Sequence, residues 1–366
     1  MHRRLGPVVA VTLGFVLALP GAATAASTRE HYASHPLHVR PNASTSPTGL
    51  SPATIKSAYG FSTSATAGAA KTIAIVDAYD DPTAASDLAV FSSKYGLPAC
   101  TTANGCFRKV SQSGGSTYPS VNGGWALEIS LDVQWAHAIA PGAKILLVEA
   151  KSSSFTNLLA AEDYAKAHAR YVSNSWGGSE FSGESAYDGH FVQSGVSFFV
   201  SSGDAGTPAE YPSSSPNVIS VGGTTLHFSS GKLTSETGWS SSGGGCSAYE
   251  TATSAQRGFS QYGQVSCGGK RATPDVSLDA DPNSGVSVYD STSYNGQTGW
   301  WTVGGTSASA PMWAARSADD GVVVNASYVY GGSITYRDIT SGNNGEPCLV
   351  GYDLVTGRGS WTGATP

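Results

Sequence analysis

One serine stands in a setting that would expose its hydroxyl. Gly304-Gly305-Thr306-Ser307-Ala308-Ser309-Ala310-Pro311 follows the apolar run Thr298–Val303 and precedes a helix expected to begin near Ser307, with Pro311 in its first turn. Small residues around Ser307 leave its Oγ accessible, and a helix N-terminus favours an anion developing beside it. Clusters of Ser, Thr, Gly and Pro also make ordinary turns and caps, so the motif alone leaves both readings open. A hydroxyl needs a base to become a nucleophile. Histidine is the usual base, but none of His31, His35, His38, His137, His168, His190 and His227 follows a His-Gly-Thr pattern. Two carboxylates fit better. Glu128 and Asp132 stand at i and i+4 in Trp-Ala-Leu-Glu-Ile-Ser-Leu-Asp-Val-Gln-Trp, so on a helix both leave from one face. They are either an exposed polar face or a paired unit in apolar surroundings, where mutual repulsion and desolvation would raise a pKa. A third acid, Asp204 in Ser201-Ser202-Gly203-Asp204-Ala205-Gly206, follows the apolar run Val-Ser-Phe-Phe-Val. It is either an Asx-turn residue or, in an acidic medium, a protonated donor to an oxyanion.

These residues need a scaffold, and the sequence supplies alternating elements. Lys71–Tyr79, Lys144–Glu149, Tyr171–Trp176, Val196–Ser201 and Val218–Val221 read as buried strands. Phe155–Ala169 reads as a helix. Asn122–Ala140, stopped by Pro141-Gly142, has partly alternating apolar residues, so a strand competes; its length favours a helix. Alternation of this kind implies an α/β fold: a parallel sheet with right-handed crossovers, sandwiched by helices. Residues 229–301 read as loops and hairpins.

Only 13% of the 366 residues are charged, about half the usual share. With 40% hydrophobic residues the chain can bury a large core, which excludes a disordered, charge-rich protein. The net charge of −6 argues against a nucleic-acid-binding surface or a polybasic membrane patch. Arg3 and Arg4, the apolar run 6–22 and Ala23-Thr24-Ala25 read as a signal peptide over 1–25, interrupted by Pro20-Gly21 and so a poor membrane anchor. Its removal takes two arginines and no acid, moving the net charge from −6 to −8. Secretion, with no membrane or nucleic-acid partner, is therefore expected. Residues 26–50 read as a flexible linker, too short for a folded pro-domain. In an oxidising destination Cys100–Cys106 and Cys246–Cys267 are natural disulfides, with Cys348 left over.

Ser307 in its motif, the Glu128/Asp132 pair and the Asp204 loop, in that combination, resemble the sedolisins, or serine-carboxyl peptidases, relatives of subtilisin in which Glu replaces His as base. The resemblance covers about residues 51–366 and includes Ser51-Pro-Ala-Thr-Ile-Lys-Ser-Ala-Tyr-Gly-Phe61, Ser173-Asn-Ser-Trp-Gly-Gly178, the stretch 274–290 and Asp338–Asn344. It implies a subtilisin-like single catalytic domain, a monomer, acting on protein or peptide substrates at acid pH. Ser307 would be the nucleophile, Glu128 the base, Asp132 its support and Asp204 part of the oxyanion hole. The strand around Ser173–Gly178 would pair with substrate backbone. It also implies one structural Ca²⁺, held by the side chains of Asp338 and Asp353 and the carbonyls of Ile339, Leu349 and Gly351; Leu349 stands where the family usually has Gly. The alternative is a catalytically impaired secreted homologue that binds peptides or surfaces. An ordinary subtilisin with Asp77 as triad acid lacks its histidine; Asp77 reads instead as a structural or cleft-edge acid.

Overall fold

The structure, a computed structural model, describes residues 1–2, 30–35, 37–40, 42–332 and 334–362. The chain divides into two units, Met1–Glu30 and His31–Pro366. The apolar leader read as a signal peptide falls, past residue 2, outside the described residues.

The second unit runs, in chain order, through α1 (Pro52–Tyr59), β1 (Thr72–Ala78), α2 (Ala84–Tyr95), β2 (Phe107–Ser111), α3 (Gly123–Ile139), β3 (Lys144–Ala150), α4 (Phe155–His168), β4 (Tyr171–Asn174), β5 (Ser197–Ser201), β6 (Ile219–Ser229), β7 (Lys232–Gly238), β8 (Val276–Asp279), β9 (Val286–Tyr294), β10 (Gln297–Gly304), α5 (Thr306–Asp320), β11 (Tyr336–Arg337) and β12 (Ser360–Trp361). Ten strands form one sheet in the order β11-β12-β8-β6-β5-β4-β1-β3-β2, with β7 pairing β6. The interior pairs, from β8 with β6 to β3 with β2, are all parallel. The fold is thus the expected subtilisin-like α/β architecture.

The strand runs are apolar throughout because helices cover both faces, and the two-residue period divides them between two cores. Ile73, Ile75, Ile145, Leu147 and Phe199 enter the core that also holds Leu127, Leu131 and Trp313 of α3 and α5. Ala74, Val76, Leu146, Val148, Phe198 and Val200 enter the other, with Phe155, Leu158 and Leu159 of α4. Of the 17 residues of α3, only Gly123 and Gly124 escape burial, as a helix packed on all sides requires. Asn122 caps it by accepting hydrogen bonds from the Gly124 and Trp125 N–H groups. Both disulfides form as expected, Cys100–Cys106 and Cys246–Cys267, and Cys348 is free and buried.

Three expectations need correction. Residues 31–50 are not a flexible linker. The described ones are laid along the domain by backbone pairing: Tyr32 with Ser154, Ser34 with Gly177, His38 and Val39 with Gly304 and Val303, Ser44 with Trp300 and Leu50 with Val286. The compact unit accordingly begins at His31. Strand β6 does not stop at Val221 but continues through Gly222-Gly223, where a Cβ would stand 2.6 Å from Pro274 and from Ala280 respectively. Pro311 lies in the second turn of α5 rather than its first. A proline there frees the carbonyl four residues earlier, that of Ser307, which accepts instead from the Ser175 hydroxyl (3.4 Å).

Candidate active site

Parallel strands direct the segments beyond their C-terminal ends toward one edge of the sheet, where such folds hold ligands. Asp77 near the end of β1, Ser173–Ser175 at the end of β4 and the Ser201–Asp204 turn after β5 gather there. Helices α3 and α5 pack against each other beneath the same edge, α3 bringing Glu128 and Asp132, α5 bringing Ser307 in its first turn. The entry to α5 is fixed by Gly305, whose φ of +115° is costly for any side chain and whose N–H donates to the Ala280 carbonyl.

Asp77, Glu128, Asp132 and Ser307 are all fully buried, and none of their side-chain oxygens has a hydrogen-bond partner of good geometry among the described residues. The i, i+4 pair is therefore a buried unit, not an exposed face. Burial first, then the Asp132 and Asp77 charges, push the Glu128 carboxyl well up; the nearby Ser307 hydroxyl acts in the opposite sense. Burial also raises Asp132, opposed by the Ser175 hydroxyl, and burial with the Asp132 and Glu149 charges raises Asp77. Three carboxyls with no Lys or Arg paired to them among the described residues hold protons above the usual carboxylate range. Such a set carries a negative charge on one member only when the other members stay neutral, and it lies beside the Ser307 hydroxyl.

Asp204 is positioned from the first residue of the helix that carries Ser307. Its Oδ1 accepts from the Thr306 N–H (2.8 Å) and hydroxyl (2.9 Å). Its Oδ2 has no such partner and is the oxygen left to carry a proton. Burial, then the Glu210 charge, raise this carboxyl to about 7 against the opposing Thr306 bonds. Below that pH, Asp204 is a neutral carboxyl held against Thr306, the residue before Ser307.

The cleft between these groups contains chain. The Ser34 N–H donates to the Gly177 carbonyl (2.9 Å) and the Gly177 N–H to the Ser34 carbonyl (3.1 Å), an antiparallel addition to the Ser173–Gly178 segment. Upstream, the Ala33 N–H donates to the Ser153 carbonyl; downstream, the Arg40 N–H donates to the Thr302 carbonyl. Between them His35 Nδ1 lies 3.6 Å from Glu128 Oε2 and its ring meets the edge of Trp125. His38 Nε2 lies 3.4 Å from Asp204 Oδ2, its ring against Trp239. Burial lowers His35 to about 4, and lowers His38 against the Asp281 charge. Around the arm a cavity of about 220 Å³ is lined by Ser34, His35, Leu37, His38, Asp204, Ala205 and Glu210. A cavity of about 610 Å³ is by Thr72 and Arg170 at the N-terminal ends of β1 and β4, remote from this chemistry.

The candidates Ser307, Glu128, Asp132 and Asp204 thus converge, and Asp77, first read as a cleft-edge acid, joins them as a buried member. His35, His38, Thr306 and Glu210 were not among the expected site residues. His35 and His38 flank Pro36 in a short His-Pro-Leu-His run, the one signal that could have marked the arm. Glu210 has no sequence signal; burial raises it to about 7, and its carboxylate fills the space where a Cβ on Gly203 would stand. His137 is spent elsewhere, with Nε2 against the Pro98 carbonyl (2.9 Å).

The expected calcium residues form a separate group. The Gly351 N–H donates to both Asp338 oxygens (3.0 Å each), and the Leu349 N–H donates to Asp353 Oδ2 (3.0 Å). Val355 and Thr356 N–H groups hold Asp353 Oδ1 at 2.9 and 2.7 Å. One loop therefore spans both acids. Leu349 avoids the left-handed region, so no glycine is needed there, whereas Gly351 has φ +87°. Burial, then the Asp353 and Asp338 charges, raise the Cys348 thiol to about 12.

A model of the subtilase family matches residues 120–319. The chain is 30% identical over 362 residues to kumamolisin of Bacillus sp. (strain MN-32), covering 87% of this chain and 63% of that protein. It is 30% identical over 356 residues to xanthomonalisin of Xanthomonas sp. (strain T-22), covering 75% and 41%. The chain thus spans less than two thirds of the length of these curated relatives. Among solved structures, a Pseudomonas sedolisin, described as a serine-carboxyl proteinase complexed with two molecules of pseudo-iodotyrostatin, superposes with a TM-score of 0.72 at 28% identity, covering 86% of this chain and 96% of that one.

Proposed function

Since this chain belongs to the subtilase family, in its sedolisin branch, we propose that it is a secreted serine-carboxyl endopeptidase acting at acid pH. The observation that carries the reading is the burial of Glu128, Asp132 and Asp77 beside the Ser307 hydroxyl with no compensating cation. In this reading Ser307 Oγ attacks a peptide carbonyl while Glu128 takes its proton. Asp132 holds Glu128 in place and, with Asp77, sets how readily it accepts that proton. The tetrahedral oxyanion is met by the protonated Oδ2 of Asp204 and a backbone N–H at the start of α5. Glu128 then returns the proton to the leaving amine, and water cleaves the acyl-enzyme with the same groups. The pH range follows from the site. Asp204 ceases to donate once it ionises near 7, which sets the upper limit, while Glu128 takes a proton only where the carboxyl set carries its single charge on that residue.

Substrate would pair with Gly177 as Ser34 does. The arm 31–40 thus occupies the cleft in substrate-like direction, with its histidines against the base and the oxyanion acid, and must leave or be cut for turnover. Glu210, in the cavity beside Asp204, would favour a basic or hydrogen-bonding side chain there. At the C-terminal loop, the Asp338 and Asp353 carboxylates and the Ile339, Leu349 and Gly351 carbonyls are a hard-oxygen set of the kind calcium takes, and would tie that loop in place.

The test is digestion of a denatured protein at about pH 4 by the full chain and by Ser307→Ala, with intact mass read in parallel. Activity and a mass loss mapping to the arm, both absent in Ser307→Ala, are expected. Equal digestion by both proteins would refute the reading, and digestion by neither would favour the binding homologue.

A further inference from the structure

We propose that Asp81, Asp87 and Asp290 form a second cation site, for calcium, that fastens the start of α2 to the β9–β10 hairpin leading into the nucleophile's helix. The three acids come from separate segments: the loop after β1, the first turn of α2, and β9. One carboxylate oxygen of each lies within 4.8 Å of the others. The residues are 0%, 1% and 0% exposed. No Lys, Arg or His forms an ion pair with any of them among the described residues. The neighbouring Lys109 is committed to the carboxylates of Asp80 and Glu149 and to the Asp81 carbonyl. Asp87 sits in the first turn of a 12-residue helix, where the dipole favours its charged form.

Asp81 also accepts from the Thr83 N–H and the Ser130 hydroxyl, and Asp87 from the Ser291 N–H and hydroxyl, but two observations point to a ligand beyond these bonds. Asp290 Oδ1 accepts from the Thr292 N–H (2.8 Å), but Oδ2, fully buried, has no partner. The hydroxyl protons are also too few. Thr83 Oγ1 lies 3.0 Å from Asp81 Oδ1, 2.7 Å from Asp87 Oδ2 and 2.9 Å from Thr292 Oγ1, which is itself 3.1 Å from Asp81 Oδ1. Those four oxygen–oxygen contacts share two hydroxyl hydrogens, so two have none. A cation satisfies what protons on Thr83 and Thr292 cannot. The donors are all oxygen, carboxylate and hydroxyl, from a flexible mixture of loop, helix and strand. That suits calcium, which accepts six to eight oxygens in irregular geometry, better than magnesium, which keeps several waters. The site is distinct from the Asp338–Asp353 loop and involves neither Ser307 nor Glu128.

The test counts bound metal and reads no catalysis, so it stands apart from the peptidase reading. The full chain is equilibrated with calcium at pH 7, freed of loosely held ion, and its calcium-to-protein ratio measured beside Asp338→Asn and Asp290→Asn. Asp290→Asn should hold one equivalent fewer than the parent, while Asp338→Asn still holds at least one. An unchanged ratio in Asp290→Asn, or no calcium in Asp338→Asn, would mean that protons alone fill the cluster, and would overturn the proposal. Should Asp290→Asn fail to fold, the ratio in Asp338→Asn decides by itself.

Discussion

Two buried polar clusters on this sheet are built on opposite terms. At one end Arg271 grips Asp275 with both terminal nitrogens, the Ala272 carbonyl takes a further guanidinium proton (2.7 Å), and the Ser220 N–H (2.8 Å) and Tyr330 hydroxyl complete the carboxylate. At the other, Asp77, Glu128 and Asp132 lie equally deep with no cation and no well-formed hydrogen bond. The first cluster is a closed structural pair whose removal leaves an unpaired buried charge. The second survives in the folded protein because its members hold protons, and in the proposed mechanism the one member that has given its proton up is the base beside Ser307. Compensation, not depth, separates a structural charge from a reactive one.

The contrast is tested first by catalysis. Ser307→Ala should lower kcat/KM on a peptide by roughly 10⁴-fold or more, and Glu128→Gln by roughly 10³-fold, both with thermal melting little changed. Near-wild-type activity in either would remove the reactive half of the comparison. Asp275→Ala should do the reverse, costing about 3–5 kcal/mol of stability by leaving Arg271 unpaired, which denaturant titration measures. A loss under 1 kcal/mol would show that the closed pair is not closed.

The histidine arm gives the next effect. Burial lowers His35 to about 4, so the docked arm binds fewer protons there than the free arm, whose histidine titrates near 6.5. Docking through His35 is therefore favoured above 6.5 and weakens as pH falls toward 4, by on the order of 10²-fold. Amide exchange at Ser34, corrected for its intrinsic rate, should lose protection over that range in the parent and not in His35→Gln. The smallest effect concerns the carboxyls. Those of Glu162, Asp204 and Glu210 are raised to about 8, 7 and 7, and the three active-site carboxyls also rise. The folded state thus holds protons that the unfolded chain releases near 4, so stability falls as pH climbs from about 4 through 8. Asp77→Asn should recover about 1 kcal/mol at pH 8 and flatten that slope. An unchanged slope would mean that Asp77 is ionised already.

Much of this was legible from particular residues. Ile73–Val76 and Leu146–Val148 announced strands because both faces of a helix-covered sheet admit only apolar side chains. The spacing of Glu128 and Asp132 announced a shared helical face, whereas the exposure expected of Ser307 from its small neighbours is not found, since Ser307 is fully buried by the packing of α5 against α3 and the sheet. The arm was not legible. Its residues are polar and aperiodic, and its order comes from backbone bonds to Gly177 and Gly304, which no side-chain pattern encodes. Helix α2 was missed because Ser86, Asp87, Ser92 and Ser93 dilute its apolar stripe; its packing on α3 and β9 supports it. The second-turn position of Pro311 depended on a hydroxyl, that of Ser175, 136 residues earlier in the chain. Glu210 reaches the site through a short pairing with Gly178–Ser179, a tertiary event again.

The central claim is that uncompensated carboxyls, not an imidazole, drive Ser307. Its most direct test is the pH dependence of kcat/KM for the full chain, once the arm is cleared, on an unfolded peptide. A maximum on the acid side is expected, with a descending limb near 7, where Asp204 ionises. A maximum at or above about pH 8, as a neutral histidine base would give, contradicts it.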